Sequence, residues 1–260
     1  MKDQLHRQLQ LKDTPKRIVS LVPSQTELLV DLGLEYAIVG VTKFCVHPNH
    51  LRKEKTIVGG TKQVHFDKIK ALNPDIILCN KEENTKEMIS ELKQIAPVHI
   101  SDIYSIADSL ELIEMYGEVF NVRHKANIII DGIRLKLKLF SEEYANLPKR
   151  NVVYFIWKNP YMIAANQTFI QEMLTINNFK NSYRNVDRYP EINLLELKDK
   201  QPDLILLSSE PFPFNEIDVE EFKAVCPEAK VIIVDGEAFS WYGSRLLLAF
   251  DYFRVLQASI

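Results

Sequence analysis

The chain has 260 residues, of which 46% are hydrophobic and 26% charged, with a formal net charge of −3. At roughly 100–200 residues per domain, that length fits one large domain or two ordinary lobes. The composition excludes disordered, collagen-like and coiled-coil chains, and the near-neutral charge offers no electrostatic footprint for nucleic acid or an anionic membrane.

The predicted elements alternate between strand and helix. Residues 17–22 read as a buried strand ending at Pro23, and Ser24 with Glu27 has the spacing of a capping box opening a helix. Leu28, Leu29 and Leu32 give that helix its buried face, and Gly33 suits its C-terminal cap. A strand over 38–41 follows, then a helix over 66–72, Asn73-Pro74-Asp75 and a strand over 76–78. A helix over 85–94 and a strand over 98–100 come next, and Ser105 with Asp108 opens another helix.

Between 123 and 147 the apolar residues Ala126, Ile130, Ile133, Leu137, Phe140, Tyr144 and Leu147 recur every three or four positions. That spacing predicts one continuous helix, ~37 Å long if it spans all of those residues. The grammar then repeats. A strand over 152–156 precedes the pair Thr168 and Gln171, another capping-box spacing, and Asn193 with Glu196 starts a helix ending at Gln201-Pro202-Asp203. A strand over 204–207, a helix over 219–225, a strand over 231–234 and a helix from Ser244 complete the chain. The segments ALNPDIIL and KDKQPDLILL share helix, Pro-Asp and apolar strand, which predicts two similar α/β lobes. The fold class expected is therefore α/β: two Rossmann-like lobes with mainly parallel sheets, over 1–122 and 148–260, joined by a backbone helix over 123–147.

The eight glycines form neither G-x-G-x-x-G nor a loop ending in Gly-Lys-Ser/Thr, so the usual phosphate cradles are absent. Three scattered cysteines, Cys45, Cys79 and Cys226, argue against a disulfide framework and a thiolate zinc site. His47, His50 and His65 are the only histidine grouping, without a further ligand at recognisable spacing, so no metal is expected. A nucleophilic Cys45–His47 pair lacks a patterned oxyanion hole or orienting acid, and G-x-S-x-G is absent. The N-terminus is polar, with no apolar stretch of a secretion signal. As written, the chain is expected to stay in the cytoplasm; a native start further upstream would instead place it in the periplasm or at the envelope.

In open parallel sheets, ligands bind outside the carboxyl ends of the strands. Those ends carry Ser24 and Gln25, the run Phe44-Cys45-Val46-His47, Gly59-Gly60, Trp157, Tyr161, Tyr189, and the acidic and aromatic loop with Asp235, Glu237, Phe239, Trp241 and Tyr242. Aromatic rings in such loops either cap a core or form a platform for a flat ligand.

The runs RIVSLVPSQTE (17–27), VTKFCVHP (41–48), VGG (58–60) and KALNPD (70–75), then Tyr189-Pro190, QPD (201–203) and FSWYGSR (239–245), resemble the class III, helical-backbone substrate-binding proteins of ABC transporters. The likeness is greatest to the cobalamin-binding members. The resemblance implies two lobes on one backbone helix, a ligand held in the cleft between them, and no covalent chemistry or intrinsic cofactor. Carried over by position, it implies ligand contacts from Phe44, Gly59, Gly60, Trp157, Tyr189, Phe239, Trp241 and Tyr242. The strand-end reading adds Ser24, Gln25, Cys45 and His47 as candidate ligand contacts. Gly59-Gly60 stands where the cobalamin binders carry a tryptophan. Relatives dock on their permease through one surface carboxylate per lobe; Asp67 matches the first, and the second falls near Ser240. The expected function is thus non-catalytic binding of a corrinoid by a monomer, as an ABC-type substrate-binding protein partnered by a permease or as a cytosolic relative without one. The alternatives are an iron chelate, either siderophore or haem, or an enzyme on the same scaffold.

Overall fold

The computed structural model describes all 260 residues. The chain divides into two compact units, each described by itself. The first comprises Met1–Ile103, Ala107–Ile133 and Tyr242–Arg245; the second comprises Tyr104–Ile106, Arg134–Trp241 and Leu246–Ile260.

The first unit is built on β1 (Ile18–Ser20), α1 (Pro23–Asp31), β2 (Ile38–Val41), α2 (Leu51–Glu54), β3 (Thr56–Ile57), α3 (Phe66–Ala71), β4 (Ile76–Asn80), α4 (Lys86–Leu92), β5 (Val98–Ser101) and α5 (Ile106–Val119). Its strands form one all-parallel sheet in the order β3-β2-β1-β4-β5. Both faces are covered, which is why the strand sequences read as unbroken apolar runs and not as alternation. Val19, Leu21, Ile77, Cys79, Val98 and Ile100 pack one face against Ile69, Met88, Ile89 and Leu92 from α3 and α4.

The next helix, α6 (Arg123–Tyr144), has its first half in the first unit and its second half in the second. At 22 residues it is ~33 Å long. Ala126, Ile130, Ile133 and Phe140 are buried at the expected spacing, and Phe140 stacks on Tyr144 at 4.6 Å. The helix stops three residues before the predicted end. Residue 147 precedes Pro148, whose ring disfavours helical backbone just before it, and Leu147 is exposed.

The second unit continues with β6 (Arg150–Trp157), β7 (Met162–Ile163), α7 (Phe169–Ile176), β8 (Phe179–Asn181), α8 (Leu197–Lys200), β9 (Leu204–Ser208), α9 (Glu216–Val225), β10 (Lys230–Val234), α10 (Gly236–Ser240) and α11 (Leu246–Ser259). The sheet order is β10-β9-β6-β7, with β8 also paired to β6. Every pairing is parallel except β6 with β7. Phe155, Phe214 and Phe222 centre its core.

The repeated Pro-Asp segments do the same work in both units. Asn73 and Gln201 adopt left-handed backbone (φ 45° and 43°), ending α3 and α8. The Asp75 carboxylate then accepts hydrogen bonds from the backbone N–H of Lys16 and Arg17 at 2.8 and 3.0 Å, just ahead of β1. Asp203 accepts from the Asn151 N–H of β6 at 2.6 Å. Each aspartate therefore sets the start of its strand against the neighbouring one.

Helix ends show where local pattern prevailed. Gly33 (φ 75°) donates to the Val30 carbonyl and Leu34 to the Leu29 carbonyl, the paired bonds of a Schellman cap. The capping box expected from Ser24 and Glu27 does not form: α1 begins at Pro23, its N-cap is Val22, and no side chain caps it. Thr168 caps α7 by accepting from the Gln171 N–H, while the Gln171 side-chain oxygen accepts from Asn181 instead of closing the box. Asn193 and Glu196 do form theirs.

The first residues fold as a hairpin against the edge strand β5. Asp3 is buried and accepts from the N–H groups of Leu5, Arg7 and Ile100 and from the Arg7 guanidinium, while Arg7 donates to the Val98 carbonyl. Two side chains thus occupy ladder groups that an edge strand leaves open. Burial raises the Asp3 carboxyl, but the hydrogen bonds and charge of Arg7 outweigh it and leave the carboxyl below its ordinary range. Asp3→Ala strands these donors and is expected to cost about 3 kcal/mol in urea unfolding at pH 7. A loss under about 1 kcal/mol would show that the hairpin does not seal β5.

Candidate functional site

Each unit presents its functional side chains where the parallel strands end. In the first, β2 runs into residues 42–50, and β3 runs into a turn over 59–64. Gly59 holds φ 132°, where an added Cβ would lie 2.5 Å from the Gln63 carbonyl oxygen, so only glycine makes this turn without strain. The Gly60 N–H donates to that same carbonyl at 2.7 Å, and Lys43 N–H donates to Gly59 O at 2.8 Å. The two segments are thereby tied together. A Cβ at Gly60 would meet the Phe44 ring at 3.2 Å, so the bare backbone forms a shelf against that ring. Phe44 is 47% exposed, with the Lys43 ammonium 5.0 Å from its ring centre.

Other predicted residues of this unit turn inward. Cys45 is buried, its Sγ within 3.1 Å of Thr26 Oγ1 and 3.3 Å of Thr42 Oγ1. Burial pushes its thiol up, away from the reactive thiolate. Gln25 is fully buried and donates to Ser101 Oγ at 2.6 Å and to the Tyr242 hydroxyl at 2.9 Å, while accepting from the Tyr116 hydroxyl at 2.7 Å. Ser24 hydrogen-bonds to Tyr242, whose hydroxyl burial pushes upward. Ser24, Gln25 and Tyr242 therefore form one buried polar network that holds Tyr242–Arg245 onto α1. Arg245 completes it, with Nη2 2.7 Å from Glu27 Oε1. His47 is half-buried, close enough to Glu27 to act on its carboxyl, and Asp67 is exposed in the first turn of α3.

In the second unit, Trp157 ends β6 and is 40% exposed, packed edge-on against Phe212 at 5.7 Å. Phe212 packs in turn on Phe214 at 4.8 Å. The turn after Trp157 is fastened to α9: the Lys158 ammonium lies 2.6 Å from Asp218 and 2.5 Å from Glu221, and the Tyr161 hydroxyl donates to Glu221. Those carboxylates raise the Lys158 ammonium, and burial followed by the Glu221 bond pushes the Tyr161 hydroxyl up to about 12. Trp157 is thus an exposed ring on a pinned support. Nearby in sequence order, Tyr189 is half-buried, and the Arg188 guanidinium lies 5.6 Å from its ring and 5.5 Å from that of Tyr104.

The acidic and aromatic stretch after β10 differs from the predicted loop. Asp235 accepts from the N–H groups of Glu237 and Ala238 and caps a short helix, α10, so its acid is a helix cap. Phe239 is a core residue, fully buried 5.0 Å from Tyr154 and 4.9 Å from Phe253. Trp241 is buried, its indole N–H donating to Glu210 at 2.8 Å, and Ser240 donates to the same carboxylate at 3.2 Å. Burial and then Glu237 raise the Glu210 carboxyl.

Among the participants without a place in the sequence pattern are Tyr104, Arg188, Glu210 and Phe212. Phe212 was within reach, since Pro211-Phe212-Pro213-Phe214 directly follows β9 and obeys the same strand-end rule. Tyr104 and Arg188 meet only in three dimensions.

A family profile described as periplasmic binding protein matches residues 18–230. The chain is 27% identical over 212 residues to the uncharacterized ABC transporter substrate-binding lipoprotein YvrC of Bacillus subtilis, covering 78% of this chain and 67% of that one. It is 25% identical over 252 residues to a vitamin B12-binding protein of Yersinia pestis, covering 94% and 87% respectively. A crystal structure of a periplasmic heme binding protein from Pseudomonas aeruginosa superposes with a TM-score of 0.81 at 19% identity, over 94% of each chain. The chain belongs to the periplasmic binding protein family and is a substrate-binding protein of the ABC-transporter type. Proteins of that type bind a small ligand and work with a permease. No helix is long and apolar enough to cross a membrane.

Proposed function

We propose that this protein captures a corrinoid, cobalamin-like ligand on the strand-end surfaces of its two units, without covalent chemistry. The observation that carries the reading is the pair of exposed rings, Phe44 and Trp157, each at a strand end and each on a fixed support. A large ring left in water gains its burial energy only when something flat covers it. Phe212, edge-on to Trp157, extends the second surface, and the Gly59-Gly60 backbone backs the Phe44 ring of the first. The vitamin B12-binding relatives support this ligand class. The buried, protonated Cys45 thiol weighs against a nucleophilic enzyme. Exposed Asp67 is the carboxylate proposed to meet a permease.

The Arg188 guanidinium lies by the Tyr104 and Tyr189 rings and donates through Nη1 to the Gln167 carbonyl. As a cation of the kind that pairs with ligand carboxylates or catecholates, it favours a second reading, haem or a ferric chelate. Titration separates the two. Cobalamin is expected to quench tryptophan fluorescence and saturate near one equivalent, with haem and ferric siderophore binding more weakly. Trp157→Ala should weaken cobalamin binding about 10-fold or more while unfolding stability stays near wild type. Absence of quenching at roughly 100 μM cobalamin overturns the corrinoid reading, and saturation by haem instead selects the second.

A further inference from the structure

We propose that Glu35, His50 and Glu54 form a transition-metal site on the first unit, suited to zinc(II) and similar borderline ions. The site uses none of the residues assigned to the ligand and does not rest on that reading.

The backbone places the three side chains together. The His50 carbonyl accepts from the N–H groups of Lys53 at 2.9 Å and Glu54 at 3.2 Å, so residues 50–54 make a helical turn. His50 and Glu54, four apart, therefore share one face. Glu35 opens a 3-10 turn, Glu35–Ala37, whose carbonyl at Glu35 accepts from Lys55 Nζ at 2.8 Å and ties that turn to the end of α2. One ligand atom from each of the three side chains lies within 4.8 Å of the others. Ligand bonds of about 2.0–2.2 Å in tetrahedral geometry put donor atoms about 3.3–3.6 Å apart, a spacing that small side-chain rotations reach from here.

The donor chemistry narrows the ion. One imidazole with two carboxylates suits zinc and its neighbours, whereas calcium and magnesium favour six or more oxygens. His50 and Glu35 retain 42% and 35% of their side-chain exposure, so the ion enters from water, and water completes its coordination. An ion pair alone accounts for the 2.8 Å contact of His50 Nε2 with Glu35 Oε1 but leaves Glu54 unexplained at the same point. The site also sits at the end of the 42–50 segment, which carries Phe44, so a bound ion would fasten that end to the Glu35 turn.

The test is calorimetric titration of the full chain with zinc chloride in a non-chelating buffer at neutral pH. One equivalent is expected to bind in the micromolar range. His50→Ala and Glu54→Gln should each weaken it about 10- to 100-fold, while His65→Ala leaves it unchanged. In the wild-type chain, zinc should shift the imidazole nitrogen resonances of His50 before those of His6, His47, His65 and His124, a readout that needs no variant. The proposal fails if zinc does not bind by about 1 mM, if both variants bind it undiminished, or if another histidine shifts first.

Discussion

Replacing Arg245 with methionine is expected to lower the unfolding free energy by about 3–5 kcal/mol, the cost of leaving a buried carboxylate without its partner. Arg245 Nε donates to Glu27 Oε2 at 2.9 Å, and Nη2 stands 2.7 Å from Oε1. Both side chains are only 12% exposed, so neither charge recovers much hydration when the other is removed. Burial raises the Glu27 carboxyl, and Arg245, with a smaller contribution from His47, draws it back. Without Arg245 the carboxyl rises further, so the defect should be smaller at pH 5 than at pH 8. The double variant Glu27→Gln, Arg245→Met should recover most of the loss, because two neutral groups of similar size leave no orphaned charge. Urea unfolding of the four chains closes the cycle. A single-variant cost below about 1 kcal/mol, or no recovery in the double variant, would mean the pair is solvated and incidental.

The same pair explains why the start of α1 departs from its local pattern. Ser24 and Glu27 have capping-box spacing, but that spacing reports only what a side chain can reach locally. Glu27 instead meets Arg245, and Ser24 meets Tyr242, partners more than 200 positions away. Where no distant partner competes, the local signal decided the outcome: Gly33 ends α1 and Asn193 with Glu196 opens its turn as their spacing requires. Strand positions were legible because a sheet covered on both faces demands apolar runs, and β2 begins and ends where its run does. The two-residue strands β3 and β7 were not, because two residues carry no period.

The candidate site divides along the same line. Strand-end logic picks out Phe44 and Trp157 as candidates, since the rule depends only on where strands stop, and both rings are exposed where β2 and β6 end. It could not sort rings that face water from rings that face a core. Phe239 followed a strand like the others, yet Asp235 capped the next residues into a helix that carried it inward. Arg188 is held by rings from positions 104 and 189, a pairing with no counterpart in local sequence.

His99→Phe is expected to flatten the acid end of the stability profile, retaining up to about 3 kcal/mol near pH 4 that the wild-type chain loses. His99 is 1% exposed on β5, packed edge-on against Tyr116 at 5.3 Å, and neither ring nitrogen has a hydrogen-bond partner in the protein. Burial lowers its pKa to about 4; Asp3 pulls it upward and Arg7 downward, both more weakly. The sign follows from the protons bound. Above about pH 6.5 the imidazole is neutral in both folded and unfolded chains and contributes no pH dependence. Below it the unfolded chain protonates first, so folding loses stability steadily until the folded group titrates near 4. The raw profile alone would mislead. Glu27 and Glu210, both raised by burial, favour the folded chain as pH falls, and Asp3, lowered by Arg7, opposes it only at the acid extreme. The Glu27 and Glu210 contributions are common to both chains and cancel in the difference between them, and the lowered Asp3 carboxyl, which acts on His99, titrates below the pH range compared. Phenylalanine keeps the edge-on ring contact with Tyr116 and removes the titrating nitrogens, so any packing cost is the same at every pH. Urea unfolding of both chains from pH 7.5 to 4.5 reads that difference directly. Parallel profiles would show that water or a rotated ring satisfies the His99 nitrogens, and that its burial is not the source of acid lability.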